Sequence, residues 1–298
     1  MRPIVVKRFM LLLLLTAGVQ PVVDGQNLDS LLNEKMEQEE TTYPAIFRSA
    51  TIVNSHSVYM LPAGTLDFRV EHRFGTLNQG AYEFWGLDYA NIHLSLEYAV
   101  AEWLMAGIGR GTYEKTYDGF IRIKPFRQAS GSDPFPFSLA VQSGLYINTL
   151  RYLNDFDDYR FAQRLEHVHQ VLIARRFFDM ISLQIAPSYL RRTPISSALE
   201  QTDLFAMGTG VGVKIKGNVS LNIEYFRLLN YDPPLNTADL HHPLSIGFDL
   251  ETGGHVFQLI FTNSLAMTEQ GIIGGTTGRW LDGDIHFGFN ISRVFGIR

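Results

Sequence analysis

The feature that most constrains this chain is a strict alternation of apolar and polar side chains, which is clearest near its end, in residues 282–296. The side chains of one face are Ile285, Phe287, Phe289 and Ile291, and the positions between them are Asp, His, Gly, Asn or Ser. A period of two places successive side chains on opposite faces of a β-strand. This strand therefore has one apolar and one polar face, and the apolar face packs either on a protein core or on lipid.

The same alternation recurs along most of the chain and predicts an all-β protein. Val219, Leu221 and Ile223, for example, alternate with polar residues. We identify twelve strand candidates, at residues 65–74, 90–99, 103–112, 116–126, 136–149, 160–175, 180–191, 203–216, 218–228, 243–251, 255–263 and 282–296.

The connections between these candidates alternate in length. Those after even-numbered strands are mostly short, whereas those after odd-numbered strands are longer and rich in Asp, Asn, Pro and Tyr, except for residues 113–115. This pattern predicts an antiparallel up-and-down transmembrane β-barrel of about 12 strands, with short periplasmic turns and longer extracellular loops. The alternative is a secreted, soluble β-sandwich that acts as a binding or adhesin-like protein, but its outward face would be polar.

The N-terminus indicates export to the cell envelope. Arg2, Lys7 and Arg8 precede a short apolar run, which predicts a signal peptide over residues 1–25 that is cleaved on export. Residues 26–63 are predicted to form a periplasmic N-terminal segment, and residues 64–298 the barrel. Within that segment, residues 50–60 form either an extra strand or a stretch tucked against the barrel mouth. We predict the cell outer membrane as the location.

Composition excludes several classes of protein. The 298 residues include no Cys, so disulfides cannot stabilise the fold, and no stretch of about 18 apolar residues predicts a membrane-spanning helix. The formal net charge of −5 argues against a nucleic-acid partner. The partners that we expect are outer-membrane lipid, the barrel-assembly machinery during biogenesis and, as one possibility, a periplasmic protein.

If the apolar face meets lipid, the other face lines the lumen. This lining either pairs internally and fills the barrel or leaves a small wet channel. Gly208, Gly210 and Gly212 share its parity, which indicates a close approach of an inner loop or of the N-terminal segment, or a bend of the wall. The charged and histidine candidates for the lining are Asp67, Arg69, Glu71, His93, Glu97, Arg122, Lys124, Arg164, Glu166, Lys214, Glu224, Asp249, Asp284 and His286.

Candidates for catalysis or metal binding are weak. A lipid-acting enzyme would need a serine and a histidine within hydrogen-bonding reach, and the adjacent pair of His56 and Ser57 lies in the N-terminal segment, outside the predicted strands. His167 and His169 share one face of a strand, but parity turns them outward, toward the rim. We expect no catalytic residues, no metal and no cofactor, and therefore not an enzyme.

Several sequence strings together resemble a family of outer-membrane β-barrel proteins of Gram-negative bacteria that is classed as a domain of unknown function. These strings include EHRFG at residues 71–75, HQVLIARRF at 169–177, GGHVFQLIFTNS at 253–264 and GDIHFGFNISRVF at 283–295. The resemblance implies a barrel in the envelope and supplies no catalytic or ligand residues. Members of this family are often encoded near periplasmic c-type cytochromes, and the resemblance therefore implies a link to envelope electron transfer. The functions to test are small-solute passage or binding, and anchoring of a periplasmic assembly.

Overall fold

The computed structural model describes residues 42–151, 160–193, 201–232 and 239–297. The predicted signal peptide and residues 26–41 lie outside the described residues. The described chain forms twelve strands: β1 (Thr65–Thr76), β2 (Ala90–Ala101), β3 (Leu104–Gly111), β4 (Tyr117–Phe126), β5 (Ser138–Ile147), β6 (Leu165–Phe177), β7 (Ile181–Arg191), β8 (Asp203–Lys216), β9 (Val219–Leu228), β10 (Leu244–Thr252), β11 (His255–Thr262) and β12 (His286–Gly296).

These strands form one closed barrel. Each strand pairs with the next in antiparallel register, and β12 returns to pair with β1, for example Ile291 opposite Val70. Closure leaves no unpaired sheet edge. The predicted all-β class and up-and-down topology are confirmed, and the alternative of a two-sheet sandwich is wrong.

Two predicted strands begin later than the alternation indicated. Residues 160–164 and 282–285 precede β6 and β12, and parts of them form 3-10 helices, at Phe161–Arg164 and Trp280–Asp282. The other helices in the described part of the chain are 3-10 turns at Leu77–Gln79, Ala81–Gly86 and Tyr113–Lys115, and a short α-helix, α1, at Glu269–Gly275. Among the described residues, none of these helices has the length and apolar composition needed to cross a membrane.

The two faces of the wall differ as the alternation predicts. On β3, Ile108 points outward and is 66% exposed, whereas Met105 points inward and is fully buried. The outward face of the barrel therefore presents a broad apolar surface, which in a soluble protein would be exposed to water at high cost. This surface is what a membrane-bound barrel requires.

The connections divide the barrel into two ends. The connections at 102–103, 178–180, 217–218 and 253–254, with the longer one at 127–137, lie at what we call the turn end. The connections at 77–89, 112–116 and 263–285 lie at the loop end, as do the described parts of the connections that follow β5, β7 and β9. This arrangement matches the loop-length alternation read from the sequence.

The N-terminal stretch lies inside the barrel. Residues 46–61, here called the inner segment, place Ile46, Phe47, Ile52, Val53 and Val58 in a buried cluster with inward side chains of the wall, including Leu172 and Ile260. The prediction that residues 26–63 form a separate periplasmic segment is therefore wrong for this part of the chain, as are the predictions of an extra strand or a stretch at the mouth. The physical reason is burial: its apolar side chains fill the space that the wall's small inward residues leave open.

Candidate functional site

The inner segment turns back on itself in the middle of the lumen. The Ile52 N–H donates to the Ser55 carbonyl at 2.8 Å, and the Ser57 N–H donates to the Ala50 carbonyl at 2.8 Å. Residues 52–55 form the tip of this turn, where Asn54 and Ser55 supply side chains typical of turns. A turn of this size has too few internal bonds to satisfy its own backbone, so the wall must supply partners.

Glu224 on β9 is the main acceptor for the tip. One of its carboxylate oxygens accepts from the Ser55 N–H at 3.0 Å, from the Ser55 hydroxyl at 2.8 Å and from the Val53 N–H at 3.4 Å. Glu224 is 2% exposed. A carboxylate that accepts several donors is a strong, charge-assisted anchor, and it fixes the tip to one side of the barrel.

Amide and guanidinium side chains from other strands hold the rest of the inner segment. Gln184 on β7 accepts from the Val58 N–H at 2.8 Å and donates to the His56 carbonyl at 2.9 Å. Three other wall side chains donate to backbone carbonyls of the inner segment: Arg122 Nη1 to Tyr59 (2.9 Å), Gln258 Nε2 to Ile52 (3.2 Å) and Asn290 Nδ2 to Val53 (3.3 Å). Strands from several sides of the barrel therefore contact the same short segment.

Glycines in the wall make room for this contact. A Cβ atom at Gly210 would lie 2.3 Å from Ile52 Cδ1, and one at Gly212 would lie 3.2 Å from Phe47 Cε1. Of the alternatives for these glycines, the close approach of the N-terminal segment is confirmed. Gly208 differs, because its inner neighbours are Phe226 and Ala186 of the wall.

Buried charges of the lining pair with one another beside the inner segment. Arg69 Nη2 lies 2.9 Å from Asp67 Oδ2, and Arg69 Nη1 lies 3.3 Å from Glu97 Oε1. His93 bridges two carboxylates, with Nδ1 2.7 Å from Glu71 Oε2 and Nε2 2.8 Å from Asp118 Oδ1. This part of the predicted lining pairs internally.

Arg73 is an important lumen residue that is missing from the predicted set. It is fully buried, and it donates to Asn54 Oδ1 of the inner segment at 2.6 Å and to Asn290 Oδ1 of β12 at 2.9 Å. Arg73 follows Arg69 and Glu71 at a spacing of two on β1, and this spacing could have identified it as an inward residue. Asp118 and Glu269 are also missing from that set. Glu269 lies in a loop, where strand alternation gives no indication of which side chains face the lumen.

The loop 263–285 closes the lumen from the loop end. Glu269, at the start of α1, accepts from the Tyr146 hydroxyl at 3.1 Å and forms an ion pair with His56 of the inner segment. Burial alone would raise the pKa of Glu269, but His56 lowers it to about 2. Burial alone would lower the pKa of His56, but Glu269 raises it above its ordinary value. The pair joins the inner segment to the loop inside the barrel.

The other predicted lining residues lie toward the ends of the barrel. Glu166 hydrogen-bonds Gln270 of α1, His286 contacts the Phe74 carbonyl at 2.8 Å, and Gln258 donates to Asp249 at 3.0 Å. Lys124 and Lys214 are half-buried and line cavities at the turn end.

Arg164 and Asp284 lie in loop-end connections and not on strands of the wall. Arg164 donates to the carbonyls of Asn148 and Leu150, and Asp284 accepts from Asn78 Nδ2 at 2.7 Å. The alternation was extended too far at the start of both strands, so the placement of these two residues in the strand lining is wrong.

Two cavities in the lumen differ in volume. Between the inner segment and the loop 263–285, a cavity of ≈ 20 Å³ is lined by residues that include His56, Glu97 and Glu269. That volume holds about one water molecule. At the turn end, a cavity of ≈ 330 Å³ is lined by residues that include Arg48, Lys214 and Asp249.

His56 and Ser57 do not have the geometry of a catalytic base and nucleophile. The Ser57 hydroxyl donates to the Ser49 carbonyl at 2.6 Å and is fully buried, while the His56 ring faces Glu269 and Glu97. His167 and His169 lie on the outward face of β6, and His169 stacks on Tyr189 with ring centroids 6.2 Å apart. Within the described residues, no group of three or more His, Cys, Asp or Glu is arranged to hold a metal ion.

Comparison with a protein-family model agrees with this architecture. A family model described as "Membrane bound beta barrel domain (DUF5777)" matches residues 47–295. No curated protein matches the chain.

Solved structures that are similar to the chain have low sequence identity to it. The NanC porin is 8% identical, with 78% of this chain and 99% of that chain covered and a TM-score of 0.47. An outer membrane channel from Pseudomonas putida F1 is 12% identical, with coverage of 79% and 97% and a TM-score of 0.41. LpxR from Salmonella typhimurium is 9% identical, with coverage of 78% and 99% and a TM-score of 0.33.

Proposed function

The chain belongs to the DUF5777 family of membrane-bound β-barrel domains. We propose that it is an outer-membrane barrel whose lumen is closed by its own inner segment. We further propose that this barrel anchors a periplasmic assembly. The observation that carries this proposal is the position of residues 46–61 inside the lumen. Their apolar side chains are buried and their backbone is bonded to the wall.

The closure is stable because apolar and polar contacts act together. Val53 and Ile52 are at most 1% exposed, and the carboxylate of Glu224 accepts from the tip. Burying each such side chain contributes about 1.5–3 kcal/mol. A segment held in both ways is a permanent part of the barrel and not a loosely inserted gate.

The anchoring role follows from where the chain enters. Thr42 pairs with Ser130, which lies in the turn-end connection between β4 and β5, and Arg127 lies over the Tyr43 ring at 4.5 Å. In outer-membrane barrels the short turns face the periplasm. The described chain therefore begins at the turn end, which is the end that would face a periplasmic protein.

Conductance in a planar bilayer tests the closure. We expect the wild-type protein to give no steady conductance and a variant that lacks residues 46–61 to give frequent channel events, because the charged lining then faces water. Heat-modifiable migration on a gel provides the control that both proteins are folded barrels. Steady conductance of the wild type would contradict the closure and support solute passage.

Cross-linking in whole cells tests the anchoring. We expect the wild type to cross-link to one periplasmic protein and a variant without residues 26–41 to lose that product while remaining in the outer-membrane fraction. An unchanged cross-linking pattern would contradict a role of the N-terminal residues in anchoring.

A second candidate function is binding of a small polar solute from the turn end. The cavity of ≈ 330 Å³ there contains Lys214, Arg176 and Asp249, so both charge signs are available to a ligand. We expect Lys214→Gln to abolish the saturable binding of such a solute, measured by calorimetry, without opening the lumen. Identical binding by the variant would exclude this cavity as the site.

A further inference from the structure

The outward face of β8 and β9 contains a groove near the loop end that differs from the rest of the lipid-facing wall. It has a volume of ≈ 400 Å³ and is lined by Met207, Thr209, Tyr225, Arg227, Leu228 and Leu229. Met207 lies opposite Arg227 in the strand register, and Thr209 lies opposite Tyr225. The groove therefore runs from apolar side chains on the wall to a cationic side chain near the ends of these strands.

Arg227 stands apart from the other outward arginines on the described strands. Arg110, Arg175 and Arg293 each lie over an aromatic ring at 4.9–5.1 Å, and Arg191 hydrogen-bonds Tyr189. Arg227 is exposed, and no described residue accepts a hydrogen bond from it or pairs with it. An unpaired guanidinium on an apolar surface is costly unless an anion from the surroundings binds it.

A second donor lies beside Arg227. His242 Nδ1 accepts from the Leu228 N–H at 3.3 Å, so its Nε2 is the protonated nitrogen, and its ring packs edge-on against Tyr225 with centroids 5.9 Å apart. Burial, and then the nearby Arg227, lower the pKa of His242. The groove thus contains one guanidinium, and the His242 ring packs against Tyr225, one of the residues that line it.

We propose that this groove binds an anionic membrane lipid, with an acyl chain along Met207 and Tyr225 and a phosphate at Arg227. The occupant follows from charge complementarity and from continuity with the lipid-facing surface. A planar guanidinium binds a phosphate through two parallel hydrogen bonds. The phosphate belongs to a phospholipid or to a phosphorylated glycolipid, which share this chemistry. The site is independent of whether the lumen is open or closed.

Native mass spectrometry of the full chain, purified from membranes in detergent, tests the proposal. Phosphatidylglycerol, lipid A and phosphatidylcholine are added separately, and we expect one molecule of an anionic lipid to bind about tenfold more tightly than phosphatidylcholine. Preference for lipid A alone, for phosphatidylglycerol alone or for both supports the site and identifies the source of the phosphate.

Three variants distinguish this groove from general surface charge. Arg227→Gln is expected to lose the preference for anionic lipid, whereas Arg110→Gln, whose arginine already lies over Tyr117, is expected to keep it. Met207→Trp fills the groove and is expected to weaken all three lipids while leaving the charge in place. Each variant is first shown to be heat-modifiable on a gel.

Three results would overturn the proposal. The first is wild-type affinity in Arg227→Gln, and the second is an equal loss in the two arginine variants. The third is a mass that corresponds to two chains with no lipid bound, which would indicate that the groove is an interface between copies of this protein.

Discussion

The wall of the barrel and the inner segment satisfy their backbone hydrogen-bonding groups in different ways. Each strand of the wall satisfies its backbone through its neighbours, as when Val70 pairs with Ile291 of β12 and Leu94 of β2. The inner segment has no neighbouring strand, so side chains such as Glu224 and Gln184 satisfy its backbone. We therefore expect removal of the segment to leave the wall paired, and loss of one such wall side chain to weaken the hold on the segment.

The most damaging single change is expected at Glu224. Glu224→Leu leaves the Ser55 N–H, the Ser55 hydroxyl and the Val53 N–H without their acceptor. At about 1–3 kcal/mol for each buried group left unpaired, we expect a loss of about 4 kcal/mol in the free energy of unfolding. Urea unfolding in detergent micelles measures this loss. Glu251→Leu at the exposed turn end is the control, and an equal loss in both variants would contradict the specific role of Glu224.

Glu269→Gln tests the contact between the inner segment and the loop 263–285. The pKa of Glu269 falls from 4.5 to about 2 in the folded protein. A shift of that size corresponds to about 3 kcal/mol. Because this pKa is lowered, its contribution is present above about pH 4.5 and is lost as the pH falls through about 2. The contribution of His56, whose pKa is raised, is present below about pH 6.5 and is lost as the pH rises through its folded value.

Unfolding of the wild type and of Glu269→Gln at several pH values measures this difference. We expect the largest gap between the two proteins at about pH 5–6 and a narrower gap at more acidic pH. A gap that does not change with pH would show that Glu269 acts through shape and not through charge.

Gly210→Val is expected to have a smaller effect that falls on the inner segment. A Cβ there would lie 2.3 Å from Ile52 Cδ1, so the tip must move. Overpacking of this kind costs about 1–3 kcal/mol, and we expect the displaced tip to allow intermittent conductance in a bilayer. Gly119→Val is the matched control, because a Cβ there meets only ordinary contacts at 3.5 Å or more. If Gly210→Val gives no conductance and its free energy of unfolding is unchanged, the close packing of Ile52 on Gly210 is contradicted.

The smallest effect is expected at the entrance of the inner segment. Arg48 forms an ion pair with Glu251 and donates to the Gly217 carbonyl at 3.0 Å, where both ionic groups are partly exposed. Exposed pairs contribute about 0–1 kcal/mol, so Arg48→Gln is expected to change stability by less than about 1 kcal/mol. Urea unfolding checks this, and a loss as large as that of Glu224→Leu would mean that the entrance, and not the tip, holds the segment.

The sequence predicted the wall well because alternation is a local signal. All twelve strands are found close to their predicted bounds. The errors at Arg164 and Asp284 arose where an alternating pattern begins before the strand, in a loop that contains a 3-10 turn. Periodicity alone cannot show where pairing with the neighbouring strand begins.

The position of the inner segment was much harder to predict, because it depends on contacts between residues far apart in the chain. Ser55 and Glu224 are 169 positions apart, and neither has an unusual local sequence. The spaced glycines at 210 and 212 were the one local trace of this contact, and they also fitted a bend in the wall. The pairing of His56 with Glu269 had no local signal.

A designed disulfide tests the position of the inner segment most directly. The chain contains no Cys, and a Cβ at Gly247 would lie 3.3 Å from both methyl carbons of Val53. A cysteine at position 53 would place its Sγ at one of these methyl positions, so the two cysteines would be close enough to form a disulfide. In Val53→Cys with Gly247→Cys, we predict a disulfide in intact outer membranes, seen as a shift on a non-reducing gel. The control pair, Val53→Cys with the outward Gly119→Cys, should form none. Two free thiols in the first pair, with position 53 open to a membrane-impermeant maleimide, would contradict the account.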